Sequence, residues 1–322
     1  MGYRITAYFS FVNVLWLLIP TLADCQSRPD SSYLRPFLKR NMAEVYTGLY
    51  YTNFNFTGNK NSYQLRANSN AYIGADVSYK WLYVQLAFNI PGTSLDNRIK
   101  FKYQNYKFRW GNHRFVFQPY YQSYNGLLIP QASRNGYDAF RGIDFMSAGL
   151  DCYYFVNASR FSHKAGYAFS EDQTRSAGSL YFSLSGIWNK VRWPAPSKEL
   201  ITDSTTYALL SANPEWISVI PKAGYAYNLV HHKWLLAPTV QAGAGALREL
   251  NTGNYSVRVV TELRATINGG YNGDNYYIYL SSDWYNLNTH LLIQDMQRVY
   301  WTLSLTAGMR FKSLPKKILG IL

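Results

Sequence analysis

Hydrophobic and polar residues alternate without a break near the end of the chain, over residues 301–311. Every second residue from Trp301 to Phe311 is apolar, whereas the residues between them are polar or small and include Arg310. Successive side chains of a β-strand point to opposite sides of the backbone. The pattern therefore predicts a strand with one apolar face and one polar face.

The same alternation recurs along most of the chain and predicts thirteen strand-like segments. They lie at about 45–56, 71–79, 82–90, 99–109, 114–124, 145–156, 162–169, 178–189, 218–229, 234–246, 256–268, 275–284 and 298–311. Lengths near ten residues suit tilted strands that cross a bilayer. Thirteen is odd, whereas a closed membrane barrel of one bacterial chain is expected to have an even number of strands. Either residues 198–210 contain another strand or residues 63–67 are separate from 71–79, and we predict 12–14 strands, with 14 favoured.

The first residues have the features of a secretory signal peptide. Arg4 precedes a mostly apolar stretch, and the small residues Thr21 and Ala23 provide a cleavage site, so residues 1–23 would be removed. Cys25 then follows a sequence similar to a lipoprotein lipobox, although Asp24 is not a small residue, and lipidation at Cys25 stays an alternative.

No run of 18 apolar residues follows the predicted signal peptide, so the sequence predicts no membrane-spanning helix. Export and repeated two-faced strands together predict an all-β fold, an antiparallel transmembrane β-barrel in the outer membrane of a Gram-negative bacterium. We expect a periplasmic lead-in at 24–43, the barrel at 44–311 and a periplasmic tail at 312–322.

Aromatic residues are unusually frequent, with 30 tyrosines, 17 phenylalanines and 9 tryptophans. Aromatic girdles at the two membrane interfaces would explain this excess. Three tight turns also place a cation beside an indole ring, a combination typical of interface anchors. These predicted anchors are Lys80 with Trp81, Arg109 with Trp110, and Lys233 with Trp234.

Several segments resemble a family of uncharacterised outer-membrane proteins, domain-of-unknown-function family 4421. The strongest likeness runs from Arg160 to Ser179, where a Phe-Ser start, a glutamine and a Ser-Ala-Gly-Ser ending stand out. Residues 79–82, 120–126 and 223–227 also resemble family segments. The resemblance spans about residues 33–311 and implies an outer-membrane β-barrel without an established activity, so no functional residues are carried over from it.

The formal net charge is +14 at pH 7. In a cytosolic protein this charge would suggest a nucleic-acid partner, but export removes that partner. The expected partners are outer-membrane lipid, the phosphates of lipopolysaccharide and small anionic solutes. The last strand ends on the aromatic Phe311, which also suggests recognition by the barrel assembly machinery.

Several charged residues alternate with apolar neighbours and should point into the lumen of the barrel. We predict a lumen charge zone of Lys222, Arg258, Glu262, Arg264 and Arg310. Two interpretations remain open for these residues. The zone could select anionic solutes, because side-chain charge sets the permeation barrier of a pore. Alternatively, it could be an ion-pair lattice that fills a narrow barrel, because buried charges are normally paired.

Candidate catalytic residues are few. A barrel-embedded hydrolase needs a histidine beside a serine or an acid, and His113, His231 and His232 fall in predicted tight turns. His163 and His290 are therefore the remaining candidates. Ser162 adjoins His163, but neighbours in a strand point to opposite faces. No residues have metal-ligand spacing, and no cofactor is expected.

Three functions remain open from sequence. The leading hypothesis is an outer-membrane pore or transporter for small solutes, including anionic ones. The first alternative is a plugged barrel with a structural or surface-interaction role. The second alternative is a barrel-embedded lipid hydrolase.

Overall fold

The computed structural model describes most of the chain after the predicted signal peptide. The described residues are 29–57, 62–68, 71–79, 82–96, 102–130, 137–193, 201, 204–251 and 256–313. The predicted anchor Lys80–Trp81 and most of the predicted tail lie outside these residues. Among the described residues, no helix is long and apolar enough to cross a membrane.

The described residues form β-strands and two short helices. The strands are β1 (Leu34–Arg35), β2 (Asn41–Thr57), β3 (Ser62–Ala67), β4 (Ala71–Tyr79), β5 (Leu82–Asn89), β6 (Lys102–Lys107), β7 (Trp110–Gly111), β8 (Phe115–Pro130), β9 (Tyr137–Phe155), β10 (Asp172–Gln173), β11 (Ala177–Arg192), β12 (Glu215–His231), β13 (Trp234–Glu249), β14 (Val257–Asn272), β15 (Tyr276–His290) and β16 (Asp295–Phe311). The helices are α1 (His163–Ala168) and α2 (Ser204–Ser211).

Ten of the described strands form a closed antiparallel ring. Their order is β2, β3, β8, β9, β11, β12, β13, β14, β15 and β16, and β16 pairs back with β2 along its whole length. Closure satisfies the backbone hydrogen-bonding groups that lipid cannot satisfy. We call the end where β2 begins and β16 ends the terminal end, and the opposite end the loop end.

The remaining strands of the sheet widen the wall at the terminal end. β4 pairs with the first half of β2 and with β5, whereas β3 pairs with the last residues of β2. β6 and β7 both pair with β8. Fourteen described strands therefore belong to the sheet, but a 14-strand ring, the favoured prediction, is not matched. The predicted segments 71–79, 82–90 and 99–109 correspond to β4, β5 and β6, which belong to the sheet but not to the ring.

The two faces of the strands differ as the alternation predicts. On β16, Leu305 and Met309 are exposed on the outer surface, whereas Thr306 and Arg310 are buried towards the lumen. The outer surface is therefore an apolar band, which is the side that meets lipid in a membrane barrel. The prediction of an antiparallel transmembrane β-barrel is confirmed, although its first strand begins at Asn41, inside the predicted lead-in.

The segment at 162–169, predicted as a strand, is helix α1 instead. Ser162 caps its start by accepting the backbone N–H of Ala165 at 3.1 Å, and the helix ends at Phe169, whose φ is 52°. A left-handed residue is a common helix end. Only six residues form the helix, which is too short for a helical period to stand out from alternation.

Residues 156–176 form a plug at the terminal end, between β9 and β11. The plug contains α1 and β10, and α1 contacts the inner faces of β12 and β13. The Asn268 amide donates to the carbonyl of Gly166 at 2.9 Å. β1 pairs with β10, so the chain segment before the barrel is attached directly to the plug.

The loop end is filled by a hydrophobic cluster, which we call the apolar layer. Its buried members come from all ten ring strands and from α2, and they include Phe54, Leu65, Leu127, Phe145, Ile187, Leu209, Leu210, Trp216, Leu247, Val260, Leu287 and Met296. Residues 204–211, part of the stretch considered as an extra strand, are thus a helix that packs into the mouth of the barrel.

Candidate functional site

The middle of the lumen contains a buried ion pair from the predicted charge zone. The Lys222 ammonium lies 2.7 Å from a Glu262 carboxylate oxygen and 3.9 Å from Asp151. The side chains of Lys222 and Glu262 are 1% and 2% exposed. Ions removed from water this completely are stable only when they are paired and hydrogen-bonded.

A second buried pair lies nearby on β14 and β15. The Arg264 guanidinium donates to both carboxylate oxygens of Asp283, at 2.9 and 2.6 Å, and the Thr266 hydroxyl donates to Asp283 at 2.9 Å. Two parallel hydrogen bonds of this kind fix the orientation of the guanidinium as well as its charge.

The structure does not bring Arg258 and Arg310 into the same zone. Arg258 lies near the loop end and donates to the carbonyl of Leu291 at 3.2 Å. Across the sheet Arg264 is level with Tyr300, ten residues before Arg310. At about 3.3 Å per residue, this places Arg310 about 33 Å further along the barrel wall. The predicted single basic zone is therefore wrong, because its arginines occupy three different levels.

Arg310 instead joins the plug to the rim of the barrel. Its guanidinium donates to Asn272 at 2.6 Å and to the carbonyls of Gly273 and Phe169, and its Cζ lies 3.7 Å from the centre of the Phe37 ring. A cation stacked on an aromatic ring and bonded to carbonyls is held without a carboxylate. Arg310 thus has a structural position at the terminal end.

Glu171 connects the plug to the barrel wall. Its carboxylate accepts hydrogen bonds from the Ser162 hydroxyl and from Nε2 of His113, the latter at 2.9 Å. Burial alone would raise the pKa of Glu171, but these hydrogen bonds and the nearby charges of His113 and Lys164 lower it below its ordinary value. The carboxylate stands between serine and histidine, so Ser162 does not contact an imidazole that could deprotonate it.

The two candidate catalytic histidines lie at opposite ends of the barrel. His163 is buried on α1, with its ring stacked on Phe155 at 5.2 Å, and its Nδ1 has no hydrogen-bond partner among the described residues. Burial, reinforced by the charge of Arg109, lowers the pKa of His163 well below its ordinary value, so the ring is neutral. His290 is at the loop end, where its Nδ1 lies 2.9 Å from Asp295.

A large cavity lies between the plug and the wall, and we call it the vestibule. Its volume is about 860 Å³. The wall is formed by β2, β4, β6, β7, β8, β14, β15 and β16, while Pro36, Phe37 and Arg40 line the vestibule at the terminal end. Such a volume lies within the usual range of small-molecule sites.

Four cations line the vestibule and form no ion pair with a carboxylate in the part of the chain that the structure describes. They are Arg40, Lys107, Arg109 and Lys164. The Arg109 guanidinium donates to Gln118 at 2.9 Å and lies 3.5 Å from the centre of the Tyr167 ring. Arg109 lowers the pKa of Tyr167, burial opposes this shift, and Lys107 adds to it.

The predicted interface anchors are placed differently from one another. Arg109 points into the lumen while Trp110 is half exposed on the outer surface, because adjacent residues of an extended chain point to opposite sides. Lys233 lies 3.2 Å from both Asp172 and Asp274, and so joins the rim to the plug. Trp234 is exposed and packs edge-on against Tyr271.

Sequence reasoning missed Lys107 and Lys164 as lumen residues. The signal for Lys107 was present, since Asn105, Lys107 and Arg109 alternate with three aromatic residues. Lys164 had no such signal, because its segment is a helix inside the barrel. Among the described residues, no group of three His, Cys, Asp or Glu side chains is placed to hold a metal ion.

The chain is similar to several solved structures of bacterial proteins. The chain has 9% identity to the outer-membrane protease OmpT of Escherichia coli, with a TM-score of 0.36, covering 87% of this chain and 100% of that one. It has 10% identity to the beta domain of the Bordetella autotransporter BrkA, with a TM-score of 0.38 and coverage of 84% and 99%. It has 7% identity to the toluene transporter TodX of P. putida, with a TM-score of 0.26, covering 89% of this chain and 94% of that one.

No curated protein matches the chain. A family model does: residues 28–311, which include β1, the plug and the barrel, match the family described as a domain of unknown function, DUF4421. The chain therefore belongs to this family, and its described strands form a closed antiparallel β-barrel.

Proposed function

We propose that this chain is a non-conducting barrel of the Gram-negative outer membrane, with a structural or surface-interaction role. The apolar layer carries the proposal. Buried side chains from all ten ring strands and from α2 meet across the lumen at the loop end. An apolar constriction excludes water, and ions do not pass where water does not.

The charges of the lumen support the same proposal. Glu262 pairs with Lys222, and Asp283 pairs with Arg264, so these cations are already compensated within the barrel. An anion that replaced these carboxylates would have to break a buried pair at a cost of about 3–5 kcal/mol. Of the two interpretations of these residues, the ion-pair lattice therefore has the stronger support.

The orientation in the membrane follows from the two ends. Bacterial barrels have both chain termini and short turns in the periplasm. In this chain β2 begins and β16 ends at one end, where Lys233 and its neighbour form a two-residue turn. We therefore assign the terminal end and the plug to the periplasm, and the apolar layer with α2 to the outer surface. The proposed partners of that surface are lipid and lipopolysaccharide, and insertion would require the barrel assembly machinery.

Conductance in planar bilayers tests the closed lumen. We expect no discrete openings from the full mature chain, because the apolar layer blocks the water path. Leu209→Asp, which places a charge in this layer, should produce openings, whereas Ala208→Asp on the exposed side of α2 should not. Discrete, reproducible steps from the unmodified protein would support the pore hypothesis instead.

The hydrolase hypothesis has a separate test. His163→Ala and His290→Ala are compared with the unmodified protein for lipid turnover in mixed micelles. We expect no difference, because neither histidine contacts a serine hydroxyl in the described structure. A loss of turnover in either variant, with the barrel still folded, would assign that histidine to catalysis.

A further inference from the structure

We propose that the vestibule is a binding site for an anionic ligand built on a ring, such as an aryl or sugar phosphate or carboxylate. Lys107, Arg109 and Lys164 would bind the anion, and the aromatic wall beside them would hold the ring. This inference goes beyond the proposed function and does not depend on a closed lumen, because the vestibule lies on the terminal side of the apolar layer.

The vestibule also contains four carboxylates, Glu44, Asp76, Glu171 and Asp283, so its positive charge is concentrated on one part of the wall. Lys107 and Arg109 lie two residues apart on the inward face, and Lys164 lies across the cavity on α1. None of the three forms an ion pair with a carboxylate in the described part of the chain. Arg109 uses Nε and Nη2 for Gln118, which leaves its remaining N–H groups for a ligand. Guanidinium and ammonium groups in this state favour phosphate or carboxylate oxygens.

The carboxylates nearest to these cations are already engaged. Asp283 accepts two hydrogen bonds from Arg264, and Glu171 is held by His113 and Ser162. Glu44 and Asp76 face each other on β2 and β4, on a different part of the wall, and Glu44 also accepts from Tyr277. An anion would therefore be repelled from β2 and β4 and attracted to β6 and the plug.

The rest of the wall suits a ring-shaped body. Aromatic side chains line the vestibule on several sides, among them Phe37, Tyr72, Tyr167 and Tyr279. Aromatic faces provide large apolar contact area with few lost conformations. His163 supplies a second, independent sign of a ligand: its side chain is nine-tenths buried, it borders the cavity, and its Nδ1 has no partner among the described residues. A buried polar atom of this kind normally has a hydrogen-bond partner.

Calorimetric titration of the full mature chain in detergent micelles tests this site. The probes are 4-nitrophenyl phosphate, the uncharged 4-nitrophenyl glucoside, and inorganic phosphate alone. We expect the aryl phosphate to bind more tightly than either of the others, and more weakly as salt increases, because the attraction is screened. The Lys107→Gln/Lys164→Gln variant should lose at least about tenfold in affinity, equal to about 1.4 kcal/mol.

The matched control is Lys312→Gln, which removes one positive charge at an exposed position outside the vestibule. It should leave the affinity for the aryl phosphate unchanged. Because Lys107 and Lys164 hold no ion pair, the double variant should fold, and the heat-dependent gel shift of the barrel checks this. Unchanged affinity in the double variant, equal binding of the neutral glucoside, or no binding of the aryl phosphate would each overturn the proposal. Conductance is a separate measurement, so a barrel that conducts and still binds would contradict only the closed-lumen proposal.

Discussion

Lys222 shows how a single charged residue is compensated when it is buried in the lumen. Its side chain is 1% exposed, and its two acidic neighbours, Glu262 and Asp151, come from β14 and β9. Moving an ammonium group out of water costs several kcal/mol, which a close carboxylate offsets. The pair therefore contributes less to stability than its short distance suggests, but removing one partner leaves the other charge buried.

This asymmetry predicts a large effect of Glu262→Gln. We expect the free energy of unfolding to fall by about 3–5 kcal/mol, because Lys222 loses its closest carboxylate. The matched control is Glu215→Gln, which removes the carboxylate of a pair with Lys190 whose side chains are 24% and 32% exposed. Its effect should stay below about 1 kcal/mol, because solvent screens such pairs. Equilibrium urea unfolding in lipid vesicles measures both, and equal losses would show that burial of the ion pair is not the deciding factor.

At this scale the sequence gives the direction of a side chain but not its partner. Alternation alone places Lys222, Glu262 and Arg264 on the polar face of their strands. Asp151 and Asp283 became visible as their neighbours only through the register between strands. Register depends on the whole sheet, since a shift by one residue would reverse every side chain of a strand.

At the scale of elements, α1 is the segment for which the sequence pattern predicted a strand and the structure has a helix. Six residues give less than two helical turns, so the local pattern resembles that of a strand. The helix persists because Ser162 caps it and because it packs inside the barrel, where Asn228 and Asn268 bond to its backbone and its cap. Both stabilising contacts come from strands more than sixty residues away, beyond what a local pattern contains.

Gly166 offers a test of how tightly the plug is held. A Cβ atom added there would lie 2.5 Å from Asn228 Oδ1 and 3.0 Å from the Ala237 side chain. Asn228 is fixed by its bonds to Ser162 and Gln173, so Gly166→Ala should push the plug from the wall at a cost of about 1–3 kcal/mol. Hydrogen exchange of the α1 amides should become faster.

The control for this substitution is Gly186→Ala on the outer surface. A Cβ atom there meets nothing within 4 Å. Exchange of the α1 amides should therefore match that of the unmodified protein. If the α1 amides exchange at the same rate in the two alanine variants, the plug is not packed as tightly as the contacts of Gly166 indicate.

At the scale of the whole molecule, periodicity predicts a two-faced barrel but miscounts its wall. The alternating pattern counts β4 as a full strand and leaves β3 only as an alternative, although both pair with β2 in line. Strand number in a barrel depends on which strands lie side by side, and a one-dimensional pattern carries no such information. The pattern does not predict the plug or the apolar layer either. Both form inside the ring, through contacts between residues that are distant in the sequence.

Ring closure gives the prediction for the whole molecule. Val45 on β2 lies directly opposite Ala307 on β16, and Ala307 lies opposite Ile278 on β15. With Cys25 and Cys152 replaced by serine, a lipid-soluble thiol reagent that spans about 5 Å should link Val45→Cys to Ala307→Cys. It should not link Val45→Cys to Ile278→Cys, because these positions are two strands apart. Linking of the second pair alone would mean that β16 does not close the ring on β2.

The contact between β2 and β16 also governs the order of biogenesis. It joins Asn41 to Phe311, so one edge of the first ring strand stays unpaired until the last strand has been synthesised. Contacts between such distant parts of a chain form slowly. During that interval β2 presents an open edge, which is prone to aggregation and has to be shielded by a chaperone or by the insertion machinery. In a chain that is cut short before β16, this edge of β2 would stay unpaired, and quality-control proteases should degrade such a chain.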